Sequence, residues 1–194
     1  LELFADRHDF IKKLVIKTGG RCFLLFTSYS SLNYVYNKLR GSLEKDNYVL
    51  LKQGDLPRHE MIEMFKMSNK AVLFGTDSFW EGIDVQGDNL KSVVIIKLPF
   101  KSPEDPVTEA IIEYMRKNNQ NPFMNFQIPQ AVIKFKQGIG RLIRSKTDTG
   151  IITILDNRVI KKAYGEKFLK SLPKTNIVKG NRDFILKDKD KNKV

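Results

Sequence analysis

The sequence predicts an α/β domain: a mostly parallel sheet with helices on both faces. Three observations carry this. Short apolar runs alternate with amphipathic segments along most of the 194 residues. The runs, such as Cys22 to Phe26 and, after its first residue, Ser92 to Ile96, are continuously apolar rather than alternating, as strands covered on both faces require. No internal repeat or linker divides the chain, whose length suits one domain with its own core. Residues 1–186 are therefore expected to form that domain. Residues 187–194, rich in Lys and Asp, are expected to be a disordered charged tail.

The elements follow in order. Asp9 to Lys17 places Phe10 and Leu14 on one side of a short helix closed by Gly19-Gly20. Cys22 to Phe26 is the first strand. Ser30 or Ser31 is expected to cap a helix whose Leu32, Val35, Tyr36 and Leu39 face the core. Tyr48 to Leu51 is a second strand, and Pro57 opens a helix with Met61, Met64, Phe65 and Met67 toward the core. Ala71 to Phe74 and Ser92 to Ile96 are further strands, and a helix runs from about Val107 to Lys117. After a polar stretch, Val132, Phe135, Ile139 and Leu142 mark the buried stripe of another helix. Ile151 to Leu155 is a strand, Lys161 to Leu172 a helix, and Ile177-Val178 a last short strand.

Composition narrows the function. Hydrophobic residues at 41% and charged ones at 29% fit a soluble globular protein, and no apolar run reaches the length of a membrane span. Leu1 to Phe10 carries Glu2, Asp6, Arg7 and Asp9, unlike a secretory leader, so a cytoplasmic location is expected. Cys22 is the only cysteine, which excludes an internal disulfide, a cysteine-rich zinc site and an iron–sulfur cluster within this segment. His8 and His59 lack companions at ligand spacing, so no metal site is expected. A net charge of +12 points to a polyanionic partner.

Ligands of parallel sheets meet the loops at the carboxyl ends of the strands, here those after Phe26, Phe74 and Ile96. Thr27-Ser-Tyr-Ser-Ser31 offers hydroxyls and backbone amides opening a helix, suited to gripping phosphate. Gly75 to Val85 mixes acid, donor and ring: Trp80 stands either as a base-stacking platform or as core, and Glu81 either beside the ligand or in a structural ion pair. Lys97 to Pro106 is a rigid turn with two cations. Finally, Gln137, Arg141 and Arg144 fall at i, i+4 and i+7, one face of a helix whose other face is apolar. Gly138 and Gly140 each cost about 1 kcal/mol there, so something is expected to approach the backbone closely.

Together these loops resemble the second motor domain of superfamily 2 helicases of the DinG/XPD group. Phe23 to Ser31 resembles motif IV, Gly75 to Leu90 motif V, and Gln137-xx-Gly140-Arg141-xx-Arg144 motif VI. Lys97-Leu-Pro-Phe and Asp105-Pro106 are also typical of the group, and the likeness runs from about Asp9 to Pro173. It implies a RecA-like three-layer α/β/α domain that packs on a first motor domain, with ATP and Mg2+ between them. The Mg2+ would be held mainly by that first domain. Arg144 and Arg141 would act as arginine fingers with Gln137 beside them, and Glu81, Gly82, Asp84 and Gly140 would line the nucleotide. Thr27, Ser28, Tyr29, Thr76 and Trp80 would contact single-stranded DNA, or forked or duplex DNA, at the nucleoid. No Walker A or B motif occurs in the chain, so this segment alone is expected to be inactive in ATP hydrolysis. One rival reading is a non-hydrolysing nucleic-acid-binding domain attached to an N-terminal 3'-5' exonuclease. A flavodoxin-like enzyme using the Thr27–Ser31 loop is another, but it leaves the arginines and the positive charge unexplained.

Overall fold

The computed structural model describes residues 7–80, 90–140, 142, 149–173 and 175–180. The elements are α1 (Arg7–Thr18), β1 (Cys22–Leu25), α2 (Tyr29–Lys45), β2 (Val49–Lys52), α3 (Arg58–Met67), β3 (Ala71–Gly75) and α4 (Asp77–Trp80). Then come β4 (Ser92–Ile95), α5 (Pro106–Lys117), a π-helical turn (Phe123–Gln127), α6 (Ile128–Ile139), β5 (Ile151–Ile154), α7 (Arg158–Lys161) and α8 (Gly165–Lys170). Every pairing in the five-stranded sheet is parallel, and the order is β2-β3-β1-β4-β5.

The period of two in a strand explains why the runs are apolar throughout. Phe23 and Leu25, with Leu73, Val93 and Ile95, pack on one face against Met61 and Phe65 of α3, Phe79 and Trp80 of α4, and Phe135 of α6. Cys22, Leu24 and Phe26, with Val72, Phe74 and Val94, pack on the other against α1 and α2. Both covers follow from chain direction. The step from β1 to β2 runs one way across the sheet, and every later step runs the other way. Right-handed crossovers then put α2 on one face and α3, α4 and α6 on the opposite one. The connection leaving β1 therefore departs from those leaving β3 and β4, and a crevice opens at the strand carboxyl ends.

Several local expectations are corrected. Only Met61 of the three methionines is core, at 1% exposed, while Met64 and Met67 are 41% and 83% exposed. The buried face of α3 centres on the i, i+4 pair Met61 and Phe65, which turns Met67 to the far side. The expected Lys161 to Leu172 helix is two short helices, because the chain folds back on itself at Gly165. A Cβ there would stand 2.2 Å from the Val159 carbonyl oxygen. Ile177 and Val178 are half exposed and form no strand. They have no ladder partner among the described residues, and two residues cannot hold extended pairing alone.

The helix expected to span Gln137 to Arg144 closes at Ile139, with Gly140 as its C-cap donating to the Lys136 carbonyl at 2.8 Å. Leu142 then donates to the Ile139 carbonyl at 2.9 Å in a tighter turn. Two glycines in three residues leave that end weakly helical. At the other end, Pro129 lacks an N–H and crowds the turn before it. The wider π-helical turn, with Ile128 donating to the Phe123 carbonyl, relieves both effects. Among the described residues, no helix is long and apolar enough to cross a membrane.

Gly138 lies against the core: a Cβ there would sit 2.6 Å from Cε3 of Trp80 and 3.1 Å from Cδ1 of Leu25. Gly41, inside α2, has open space around the same position. Gly138→Ala should therefore lower the unfolding free energy by about 1–3 kcal/mol through overpacking. Gly41→Ala should raise it by up to about 1 kcal/mol through helix propensity. Urea denaturation of both variants measures the contrast, and equal effects would refute it.

Candidate nucleic-acid and nucleotide interface

The loop after β1 is built by its own hydroxyls. Ser28, rather than Ser30 or Ser31, is the N-cap of α2, with extended backbone at φ −154° and ψ 147°. Its Oγ accepts from the Ser31 N–H at 3.3 Å, and the Ser31 hydroxyl donates to the Ser28 carbonyl at 2.9 Å. The cap falls earlier than expected because Ser31 turns inward, only 8% exposed, and is spent holding Ser28. The first turn of α2 carries no acidic side chain, so its unpaired amides keep their positive character. Ser28 is exposed, Thr27 is half-buried, and Tyr29 is 52% exposed.

Gln53, just past β2, is the residue that sequence reasoning missed. Its Oε1 accepts from the Thr76 N–H at 2.5 Å and the Thr76 hydroxyl at 3.0 Å. Its Nε2 donates to the Tyr29 hydroxyl at 2.6 Å and to Ser78 Oγ at 3.0 Å. One amide thus uses its full set of donors and acceptors to join the ends of β1, β2 and β3. Thr76, expected at the DNA surface, is 4% exposed with both donors spent on Gln53, so it props the loop from beneath. The only sequence signal for Gln53 is its place at a strand's carboxyl end, a position weighed for β1, β3 and β4 but not for β2.

Of the two roles open to Trp80, the structure realises the core one. The side chain is 0% exposed, and its Nε1 donates to the Phe26 carbonyl at 3.0 Å. A ring held on both faces by protein has none to offer a base. The close approach expected at the glycines is therefore real, but at Gly138 it comes from inside the core. At Gly140 a Cβ would meet only the Lys136 and Gln137 carbonyls, at 3.2 and 3.7 Å. Gln137 sits exposed in the last turn of α6, on a 190 Å³ groove that also brings Pro99, Lys101, Gln130, Ile133 and Lys134 together. Glu81, Gly82, Asp84, Arg141 and Arg144 lie outside the described residues.

A second polar clamp ties the ends of β4 and β5. Asp156 is 5% exposed; its Oδ2 accepts from the Leu98 N–H at 2.9 Å and from Arg158 Nη2 at 2.6 Å. Its Oδ1 accepts from the Arg158 N–H and Nε, each at 3.0 Å. Burial alone would raise the Asp156 carboxyl, but the Arg158 bonds and the Leu98 N–H outweigh it and hold the group below its usual range. The Arg158 guanidinium lies 5.3 Å from the Phe100 ring centroid. Phe100 in turn stacks on Phe123 at 5.8 Å. The Lys97 to Lys101 loop is thereby anchored at its middle.

The model of the family described as the helicase C-terminal domain matches residues 11–175. The chain is 48% identical over 154 residues to the ATP-dependent DNA helicase YoaA of Haemophilus influenzae, covering 79% of this chain and 24% of that protein. It is 40% identical over 178 residues to the 3'-5' exonuclease DinG of Bacillus subtilis, covering 91% of this chain and 19% of that protein. The chain thus spans a quarter or less of these curated relatives. Among solved structures, an XPD helicase superposes with a TM-score of 0.64 at 20% identity, over 85% of this chain and 30% of that one. That likeness shows a RecA-like fold.

Gln53→Ala should cost about 1–3 kcal/mol, because the buried Thr76 N–H loses its acceptor. Hydrogen exchange should find the Thr76 amide deprotected, and unchanged protection would sink the hub assignment. For Asp156 the folded-state value is depressed, so its stabilisation is full above the unfolded value, about 3.9, and fades as pH falls through the lower folded value. Native stability should therefore drop more steeply below about pH 4 than that of Asp156→Asn, as read by denaturant melts across pH.

Proposed function

Because the chain belongs to the helicase C-terminal domain family, of the DinG/XPD type, we propose that it is the second motor half of an ATP-dependent DNA helicase. The observation that carries this reading is the end of α6. Trp80 locks that helix from beneath at Gly138, while Gln137, its neighbour in the same turn, faces a surface groove beside Lys101. An amide on a fixed helix end, with a cation from the loop after β4 beside it, suits phosphate oxygens.

On this reading ATP is the substrate, bound between this half and a first motor half of the same polypeptide. Arg141 and Arg144 follow the end of α6 directly and present guanidinium groups to the γ-phosphoryl oxygens, where negative charge develops during transfer. Glu81, Gly82, Asp84 and Gly140 line the nucleotide. On the same reading Mg2+ is held mainly by the first motor half. Ser28, Tyr29 and the first turn of α2 hold the backbone of a single DNA strand, with Thr27 beside them. Gln53 and Thr76 keep that ridge in register. Closure of the two halves on ATP, and opening after hydrolysis, shifts the two ridges relative to each other and moves the strand. The working place is the nucleoid in the cytoplasm.

A second reading is favoured by the 3'-5' exonuclease name of the Bacillus subtilis relative: a helicase-like domain that grips DNA for a nuclease without hydrolysing ATP. Single-strand-stimulated ATP hydrolysis by the full-length protein separates the two. The motor reading expects activity that falls about a thousandfold or more in Arg144→Ala, the scale of an arginine finger, with DNA binding retained. Absence of hydrolysis in the native protein would select the nuclease-linked reading instead.

A further inference from the structure

A second cationic surface lies at the same end of the sheet, beyond the edge strand β5. α7 and α8 enclose a 530 Å³ groove with an apolar floor of Ile160, Ala163 and Leu169 and a rim of Lys161, Lys162 and Lys179. Ile160 is 56% exposed, a large apolar group left uncovered in the middle of this charge. All three lysines are exposed, and none has an ion-pair partner among the described residues. The one acid in the lining, Glu166, is already tied to Lys170 at 2.8 Å. The groove therefore presents uncompensated positive charge around an apolar base.

Its position follows from the topology. α7 begins four residues after the end of β5, and Asp156 in that connection accepts from Leu98 beyond β4, so the groove starts on the carboxyl-end side of the sheet. The Ser28–Tyr29 ridge stands at the same end, past β1, and β4 is the one strand between β1 and β5. Two strand spacings make about 10 Å. That spacing separates the ends of β1 and β5, so the ridge and the groove belong to the same end of one sheet.

We propose that this groove is an extension of the single-strand path: Lys161, Lys162 and Lys179 pair with successive backbone phosphates, and a base rests on Ile160. The inference rests on the nucleic-acid reading above. It commits to a single strand because the groove stands at the same strand ends as that ridge, its lysines complement a phosphate backbone, and its apolar lining suits an unstacked base, which a duplex keeps inside. Contacts of this kind are blind to sequence and release counterions.

The test uses the full-length protein and its Lys161→Ala/Lys162→Ala/Lys179→Ala variant, with oligodeoxynucleotides of about 5 and about 20 residues, which bracket common single-strand site sizes. Affinity for the short strand should be equal in the two proteins. For the long strand the variant should bind more weakly, and its log-log salt slope should be shallower by about 2, at about 0.7 per phosphate contact. The charge-preserving triple Arg variant should restore the native slope. An unchanged slope, or a loss confined to duplex DNA, would overturn the proposal. A lowered melting temperature with the slope intact would also overturn it, assigning the lysines to packing against the rest of the polypeptide. If the native protein binds neither strand while remaining folded, the nucleic-acid reading itself fails, and this extension with it.

Discussion

The indole of Trp80 is the contact on which the candidate site depends. It is closed off from solvent, and a buried N–H must find an acceptor. It finds the carbonyl of Phe26, one residue past the end of β1. Its ring fills the space left by the missing side chain of Gly138. One side chain thus joins the connection after β1, the connection after β3 and the last turn of α6. Close-packed interiors do not deform smoothly, so these three segments are held as a single body. The proposed strand ridge and the proposed phosphate-facing helix end are opposite sides of that contact.

Two polar clamps stiffen the strand ends on either side of it. Gln53 binds the loops of β1, β2 and β3 with one amide, and Asp156 binds those of β4 and β5 with one carboxylate. Each is satisfied at every atom that the interior hides, the condition under which a polar network rigidifies a site. The result is a platform at the carboxyl ends of a parallel sheet, ordered before any ligand arrives. For a proposed motor half this matters, because movement between two halves does useful work only if neither half yields internally.

The central strands were legible because a strand covered on both faces is apolar at nearly every position. Cys22 to Leu25 and Val93 to Ile95 have no other stable environment in water. The Thr27 to Ser31 loop was legible from hydroxyls placed where a helix opens. Gln53 was not, since a glutamine before a Gly-Asp turn reads as an ordinary turn residue. Its meaning comes from Tyr29, Thr76 and Ser78, each 23 to 25 residues away in the chain. Trp80 was ambiguous for the same reason: a lone ring beside Phe79 has the same local pattern whether it faces a base or the core.

By itself the sequence determined the layered parallel architecture, the family likeness and the loops proposed to carry chemistry. These rest on hydrophobic periodicity, capping groups and motif spacing, which act over a few residues and are written where they act. The tertiary structure decided which members of those loops face outward. It turned Trp80 and Thr76 inward, ended α6 at Ile139 and recruited Gln53 and Asp156. Those outcomes depend on partners 54 residues away for Trp80 and 58 for Asp156. Such contacts exist only once the sheet has brought distant strand ends side by side, so no local pattern encodes them.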